Sequence, residues 1–129
     1  MADHPVLALS LLPETLAVCR LAPDAEVPAW AWTGEPASVT RTRDELSIIC
    51  RMDAVPRGIR AEGGWRCLEV EGPLAFELTG VLAALTAPLA AAGIALFAVS
   101  TYDTDYLLLK AENLDRAIEV LREAGHRVA

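Results

Sequence analysis

The chain has 129 residues, of which 53% are hydrophobic and only 5% aromatic, and 18 acidic against 11 basic side chains give it a formal net charge of −7. Hydrophobicity at this level excludes an intrinsically disordered chain, and the length fits one ordinary domain or two very small ones. The acid surplus argues against nucleic acid and anionic membranes as partners, because clustered lysine and arginine hold phosphate groups.

The first half of the chain predicts strands and loops without a long helix. Residues 6–12 and 15–21 have the apolar composition of two strands separated by a Pro-Glu pair. Prolines at positions 23, 28 and 36 make the following stretch rich in loops. Residues 37–40 and 45–50 predict a hairpin whose turn covers the four residues between them.

The second half begins with a strand and a long helix. Residues 65–71 alternate apolar and polar side chains, which is the period of a half-buried strand. Residues 74–92 are rich in leucine and alanine and predict a helix that ends at Gly93. Because Pro88 lies inside this stretch, we expect a kink or break near Ala87.

Two further strands, a second helix and a short last strand follow. Residues 94–100 and 106–110 are apolar and flank a turn. Apolar residues over 114–121 recur with helical spacing, which predicts an amphipathic helix that ends at Gly125. With a short strand over 126–129, the order is β-α-β-β-α-β, the ferredoxin-like split unit.

The two halves match weakly at an offset of 60 residues. The matching positions are Pro13 and Pro73, Val39 and Val99, Glu45 and Asp105, and the apolar pairs at 48–49 and 108–109. Because the matches share one offset and fall on equivalent predicted elements, they favour an internal duplication. We interpret residues 1–61 and 62–129 as two small α+β modules that need each other, since a unit of about 60 residues is marginal alone.

Catalytic and metal-binding patterns are weak. Only two histidines occur, His4 and His126, and we interpret both as solvated residues near the termini. Cys19, Cys50 and Cys67 are odd in number and have no CxxC spacing, so they predict reduced core thiols. We therefore expect neither an enzyme nor a metal or cofactor. Because no basic flank precedes the first apolar stretch, we expect a cytoplasmic protein rather than a secreted one.

The hairpin turn over residues 100–106 is the most informative polar segment. One interpretation is turn chemistry alone, in which Asp and Thr side chains bond their own backbone. In the other, Thr101, Asp103 and Asp105 hold the ammonium group of a free amino acid. Backbone N–H groups of the loop at residues 72–80, where the helix begins, would then hold its carboxylate.

Several segments resemble one known family over nearly the whole chain. They are residues 71–82, 87–94 and 100–109 of the second half, with residues 40–50 and 64–67 of the first half and joining segment. All resemble bacterial ACT-domain proteins related to the CASTOR arginine sensors of animals. The resemblance implies an α+β fold of two ferredoxin-like (βαββαβ) ACT modules in tandem, the first lacking a full first helix. It also implies a dimer that binds amino acids at module interfaces and has no catalytic activity.

The resemblance also implies a set of ligand-binding positions. They are Leu78, Thr79, Gly80 and Val81 at the start of the long helix, and Thr101, Tyr102 and Asp105 in the hairpin. The aspartate would hold a cationic group of the ligand, arginine or another amino acid. The animal sensors contain four ACT modules and place arginine between two of them, so a second copy of this chain would complete the assembly.

Two other hypotheses remain at this point. The chain could be a ligand-free ACT module that makes dimers or docks onto another protein. It could be an enzyme only if Asp103 and Asp105 were deeply buried beside a pocket with raised pKa values.

Overall fold

The computed structural model describes residues 5–72 and 79–129, which divide into two compact units. Residues 5–12, 66–72 and 79–129 form one unit, and Pro13–Trp65 form the other. The described residues form strands β1 (Ala8–Leu21), β2 (Ser38–Arg41), β3 (Leu46–Arg51), β4 (Arg60–Val70), β5 (Phe97–Ser100), β6 (Asp105–Lys110) and β7 (Arg127–Val128) and helices α1 (Val81–Ala91) and α2 (Leu114–Glu123). The prediction of two strands in the first 21 residues is wrong, because β1 continues through the exposed Pro13. The fixed φ of proline is compatible with extended backbone.

The unit Pro13–Trp65 contains strand segments in the order β2-β3-β1-β4, of which β2, β3 and β1 pair in an antiparallel manner. The predicted β2–β3 hairpin is present, with Ser38 opposite Ile49, and β3 pairs with the second half of β1. All residues from 13 to 65 are described, and they contain 3-10 turns but no α-helix. One buried cluster of this unit consists of Ala17, Cys19, Ala31, Leu46, Ile48 and Cys50, and Leu16 and Ile49 are buried outside it.

The other unit has the predicted order β4-α1-β5-β6-α2-β7, with one addition. Its strand order is β7-β1-β4-β6-β5, so the first half of β1 lies between β4 and β7. Ala8 and Leu9 run parallel to β7, while the Glu71 N–H donates to the Ala8 carbonyl at 2.7 Å. The ferredoxin-like sheet of this unit is therefore completed by a strand from the beginning of the chain.

The two helices bury their apolar side chains against this sheet. Helix α2 is amphipathic as predicted and buries Leu114, Ala117 and Leu121. Each fully buried leucine contributes about 1.5–3 kcal/mol relative to an exposed one. The remaining core residues are Leu7, Leu9, Leu68, Val70, Val81, Leu85, Leu89, Ile94, Leu107, Leu109 and Val128.

Pro88 does not break helix α1, so of the predicted kink or break near Ala87 the break is wrong. The helix continues to Ala91 and ends before Gly93, which has the predicted positive φ of +72°. Proline removes the N–H that would bond the carbonyl of Ala84, and this oxygen lies 2.9 Å from Nε2 of His126 instead. The predicted start of the helix at residues 74–78 lies outside the described residues.

The turns of the β2–β3 and β5–β6 hairpins have the same hydrogen-bond pattern. The N–H of Thr42 donates to the Glu45 carbonyl and its hydroxyl accepts the Glu45 N–H, while Thr101 makes the same pair of bonds with Thr104. Thr42 and Thr101 are 59 positions apart, so the structural equivalence differs by one residue from the predicted offset of 60. Glu45 therefore corresponds to Thr104, and not to Asp105.

Candidate functional site

Three predicted ligand-binding residues lie at the start of α1. Thr79 and Gly80 are exposed, whereas Val81 is buried as the first helical residue. Gly80 has φ +80° and supplies no side-chain cap, and the first turn contains no acidic residue. A glycine with positive φ avoids the clash that a Cβ would make, and the uncapped N–H groups with the helix dipole favour an anion. The fourth residue, Leu78, lies outside the described residues.

The other three predicted residues lie in or beside the β5–β6 turn. Thr101 and Tyr102 are exposed, the tyrosine by 78%, and Asp105 is half-buried. The Ser100 hydroxyl donates to Oδ1 of Asp105 at 2.5 Å, across a pair of residues that face each other in the strand register. This bond orients the carboxylate, whose second oxygen retains full acceptor capacity.

Sequence reasoning missed Thr104, which fixes this turn to the neighbouring strand. Thr104 is 8% exposed, and its hydroxyl donates to the carbonyl of Val70 at 2.7 Å. Val70 is the last residue of β4, immediately before the segment that leads to α1. A threonine in a polar turn gives no sequence signal that its hydroxyl is buried.

The described residues at the start of α1 line a groove of about 490 Å³. Apart from the exposed Thr79 and Gly80, its walls are small and mostly apolar: Pro5, Ala83, Ala84, Ala87, Pro88 and Ala124. The residues of the β5–β6 turn are not among those that line it. The structure thus places the two predicted groups on separate elements of one unit, and only the group at the start of α1 lines the groove.

Two arginines of the unit Pro13–Trp65 are held by groups of that same unit. Arg41 donates to the carbonyls of Pro23 and Ala25, which holds the loop after β1. Arg51 lies between two carboxylates, with Nε 2.6 Å from Asp53 and 3.7 Å from Glu14. Hydrogen bonding and the charge of Asp53 raise the pKa of the Arg51 guanidinium.

The three cysteines are buried and none of them is in a disulfide, as expected from their number and spacing. Burial, with a further contribution from the neighbouring Cys50, raises the pKa of the Cys19 thiol to about 12. Burial also raises the pKa of Cys50. Because the thiolate is the reactive form, these thiols are poor nucleophiles in the native protein.

The described residues contain neither a metal-ligand cluster nor a helix that could span a membrane. Among them, no group of three or more His, Cys, Asp or Glu residues is placed to hold a metal ion. None of the helices in the described part of the chain is long and apolar enough to cross a membrane.

A family model of the ACT domain matches residues 60–123, and a model of an N-terminal domain matches residues 14–58. The chain belongs to the ACT-domain family. The resemblance stated from the sequence is thereby confirmed, and the observed architecture is an ACT-like α+β fold with a mainly antiparallel sheet.

Curated relatives of this ACT-domain protein are the subunits named Cytosolic arginine sensor for mTORC1 subunit 1. The human protein is 37% identical over 66 residues, which are 50% of this chain and 20% of the sensor. The bovine protein is also 37% identical, over 59 residues. The ACT-domain chain therefore spans about one fifth of the length of the curated relatives it matches.

Solved structures extend the similarity to nearly the whole ACT-domain chain. Protein Atu0741 from Agobacterium tumefaciens is 39% identical with a TM-score of 0.92, covering 97% of this chain and 93% of that one. The regulatory subunit of aspartate kinase from Thermus thermophilus is 14% identical with a TM-score of 0.63, covering 94% and 99%. At that identity the second likeness shows a shared fold.

Proposed function

We propose that this protein is a non-enzymatic regulatory module that binds a free amino acid through its ACT fold. The observation that carries the proposal is the ACT family match together with the uncapped start of α1, which presents backbone N–H groups beside exposed Thr79 and Gly80. Support also comes from relatives whose names describe an arginine sensor and a regulatory subunit of aspartate kinase.

The α-carboxylate of the ligand would bind at the start of α1. The N–H groups of Val81 and the two residues after it have no helical acceptor, which is the general state of a helix N-terminus. Because Gly80 has no side chain, an incoming carboxylate reaches this turn without steric competition. Leu78 and Thr79 would flank the ligand on the approach to the helix.

The cationic group of the ligand would bind at the β5–β6 turn. Asp105 supplies the negative charge, and Ser100 already holds one of its oxygens. Thr101 would donate or accept through its hydroxyl, and the exposed ring of Tyr102 would cover the ligand. Arginine could bind Asp105 through its guanidinium group, and any free amino acid could bind it through its ammonium group.

A second ACT module would complete the site, and we propose that a homodimer provides it. The carboxylate-binding and cation-binding groups lie on separate elements, and only the carboxylate-binding residues Thr79 and Gly80 line the groove. We also propose that residues 1–61 and 62–129 descend from one duplicated ACT module, and that the protein acts in the cytoplasm. The shared turns at Thr42 and Thr101 support the duplication.

A thermal screen tests the proposed function. The melting temperature is measured with each of the twenty amino acids at millimolar concentration, and a ligand at 100 times its Kd should stabilise the protein by about 2.7 kcal/mol. A stabilising shift with one amino acid or a small set supports the proposal. An unchanged melting temperature with all twenty would overturn it.

A ligand-free interaction module is the second candidate, and strand β5 favours it. β5 is the last strand in the order of its unit, and its residues Phe97, Ala98 and Ser100 are exposed and uncharged. Uncharged edge strands are prone to pair with another chain. Reversible, concentration-dependent dimers in sedimentation, together with a flat thermal screen and loss of dimers in Ala98→Lys, would favour this candidate.

A further inference from the structure

His126 makes a buried bridge between the residue before β1 and helix α1. Its side chain is 3% exposed, although the residue lies three positions from the last residue of the sequence. Nδ1 accepts the backbone N–H of Leu7 at 3.1 Å, and Nε2 lies 2.9 Å from the carbonyl oxygen of Ala84. These two bonds are called the His126 bridge below. The sequence interpretation of His126 as a solvated residue is therefore wrong.

The partners of the bridge determine its protonation state. A backbone N–H can only donate, so Nδ1 must present a lone pair to Leu7. A carbonyl can only accept, so the proton of the neutral ring lies on Nε2 and points to Ala84. The two backbone groups therefore match the ring with its proton on Nε2 and a lone pair on Nδ1.

The bridge also satisfies a carbonyl that the sequence leaves without a helical partner. In a regular helix the oxygen of Ala84 would accept the N–H of residue 88, but this residue is proline. A buried carbonyl without a partner destabilises the fold, because it has lost its hydrogen bonds to water. The histidine thus compensates for Pro88 at the first turns of α1.

The charged groups on the elements joined by the bridge point to solvent. Helix α1 and residues 5–12 contain no titratable side chain. On α2 and β7 the charged residues are all exposed: Asp115, Arg116, Glu119, Arg122, Glu123 and Arg127. Of these, Arg122 donates to the Val128 carbonyl at 2.8 Å and Arg116 to that of Ala92 at 2.7 Å.

We propose that the His126 bridge is a proton-sensitive connection between the beginning of the chain and helix α1. Protonation places a hydrogen on Nδ1, which then faces the N–H of Leu7, so the bond is lost and a positive charge is buried. The residues before β1 are released, and with them one fixed point of α1. Ala84 lines the same groove as Thr79 and Gly80, so the same protonation would alter amino-acid binding, a consequence that rests on the proposed function.

Amide hydrogen exchange of the ligand-free protein tests the connection directly. Imidazoles change charge between about pH 5 and pH 8, so the protection factor of the Leu7 amide is measured across that range. As the pH is lowered through that range, this protection factor should decrease by up to about tenfold per pH unit, relative to that of the Ile48 amide of the other unit. A ratio of the two protection factors that stays constant across the range would overturn the proposal. Because no amino acid is present, this outcome is independent of whether one binds.

His126→Gln is the matched variant, since a carboxamide can accept from Leu7 and donate to Ala84 but does not titrate. Its Leu7 protection should not depend on pH, and a pH dependence equal to that of the wild type would overturn the proposal. If the variant does not fold, the imidazole nitrogens of the wild type are titrated by NMR. Protonation of Nδ1 must then coincide with the loss of Leu7 protection, and separate transitions would contradict the connection.

Discussion

Nε2 of His126 lies 2.9 Å from the carbonyl oxygen of Ala84, the atom that Pro88 deprives of its helical hydrogen bond. Two features that look unrelated in the sequence, a proline inside a helix and a histidine near the last residue, thus compensate for each other. The contact also joins the end of the ferredoxin-like unit to the helix whose start carries the proposed carboxylate site.

A double-mutant cycle should detect this compensation. His126→Leu leaves the Leu7 N–H and the Ala84 carbonyl without partners, and we expect the free energy of unfolding to fall by about 2–4 kcal/mol. In a Pro88→Ala background the N–H of residue 88 can donate to the Ala84 carbonyl. There His126→Leu should lower the free energy of unfolding by about 1 kcal/mol less than it does in the wild type. Urea unfolding measures all four proteins, and equal costs in both backgrounds would contradict the contact's role.

Local pattern predicted most of the elements, because helices and hairpins are encoded by periodicity and turn residues. The amphipathic period of α2 and the strands around the two hairpins were found from the sequence. Gly93 and Gly125, with positive φ, were identified as helix ends. The family match also confirmed the resemblance drawn from the motifs.

Long-range pairing could not be predicted in the same way. The position of β1 between β4 and β7 depends on contacts more than fifty residues apart, which leave no trace in periodicity. For the same reason His126 was assigned to solvent, since its two partners lie 42 and 119 positions away. The predicted site residues at α1 and the hairpin stay predictions, because they depend on a ligand.

Thr104 should contribute to stability through its buried bond. In Thr104→Val the shape is kept but the carbonyl of Val70 loses its donor, so the free energy of unfolding should fall by about 1–3 kcal/mol. Thr40→Val, at an exposed position in β2, is the matched control and should change stability by less than about 0.5 kcal/mol. If both variants unfold at the same urea concentration, the bond does not hold the turn.

Cys19 should make the protein less stable in alkali. The native state keeps the thiol proton because burial raises the pKa to about 12, whereas the unfolded chain releases it near the ordinary thiol pKa of 9.0. Stability should therefore decline as the pH rises from about 9 towards 12, by up to about 1.4 kcal/mol per pH unit for this group. The slope should be shallower in Cys19→Ala, and identical slopes in the two proteins would contradict the assignment.

The two aspartates of the β5–β6 turn should differ in their effect on ligand binding. Asp105→Asn removes the charge that would hold the cationic group, and we expect affinity to fall by about tenfold or more, since a bond to a charged group contributes about 1.5–3 kcal/mol. Asp103→Asn removes an equal charge from an exposed position in the same turn and should change affinity by much less. Equal losses measured by calorimetry would indicate an effect of net charge alone.

The central claim is that a free amino acid bridges the start of α1 and the β5–β6 turn. Backbone amide shifts are recorded while the amino acid that raises the melting temperature is added to the wild-type protein. We predict saturable shifts at Val81 and its two following residues and at Thr101, Tyr102 and Asp105. Shifts confined to other surfaces, or no saturable shift at either element, would contradict the account.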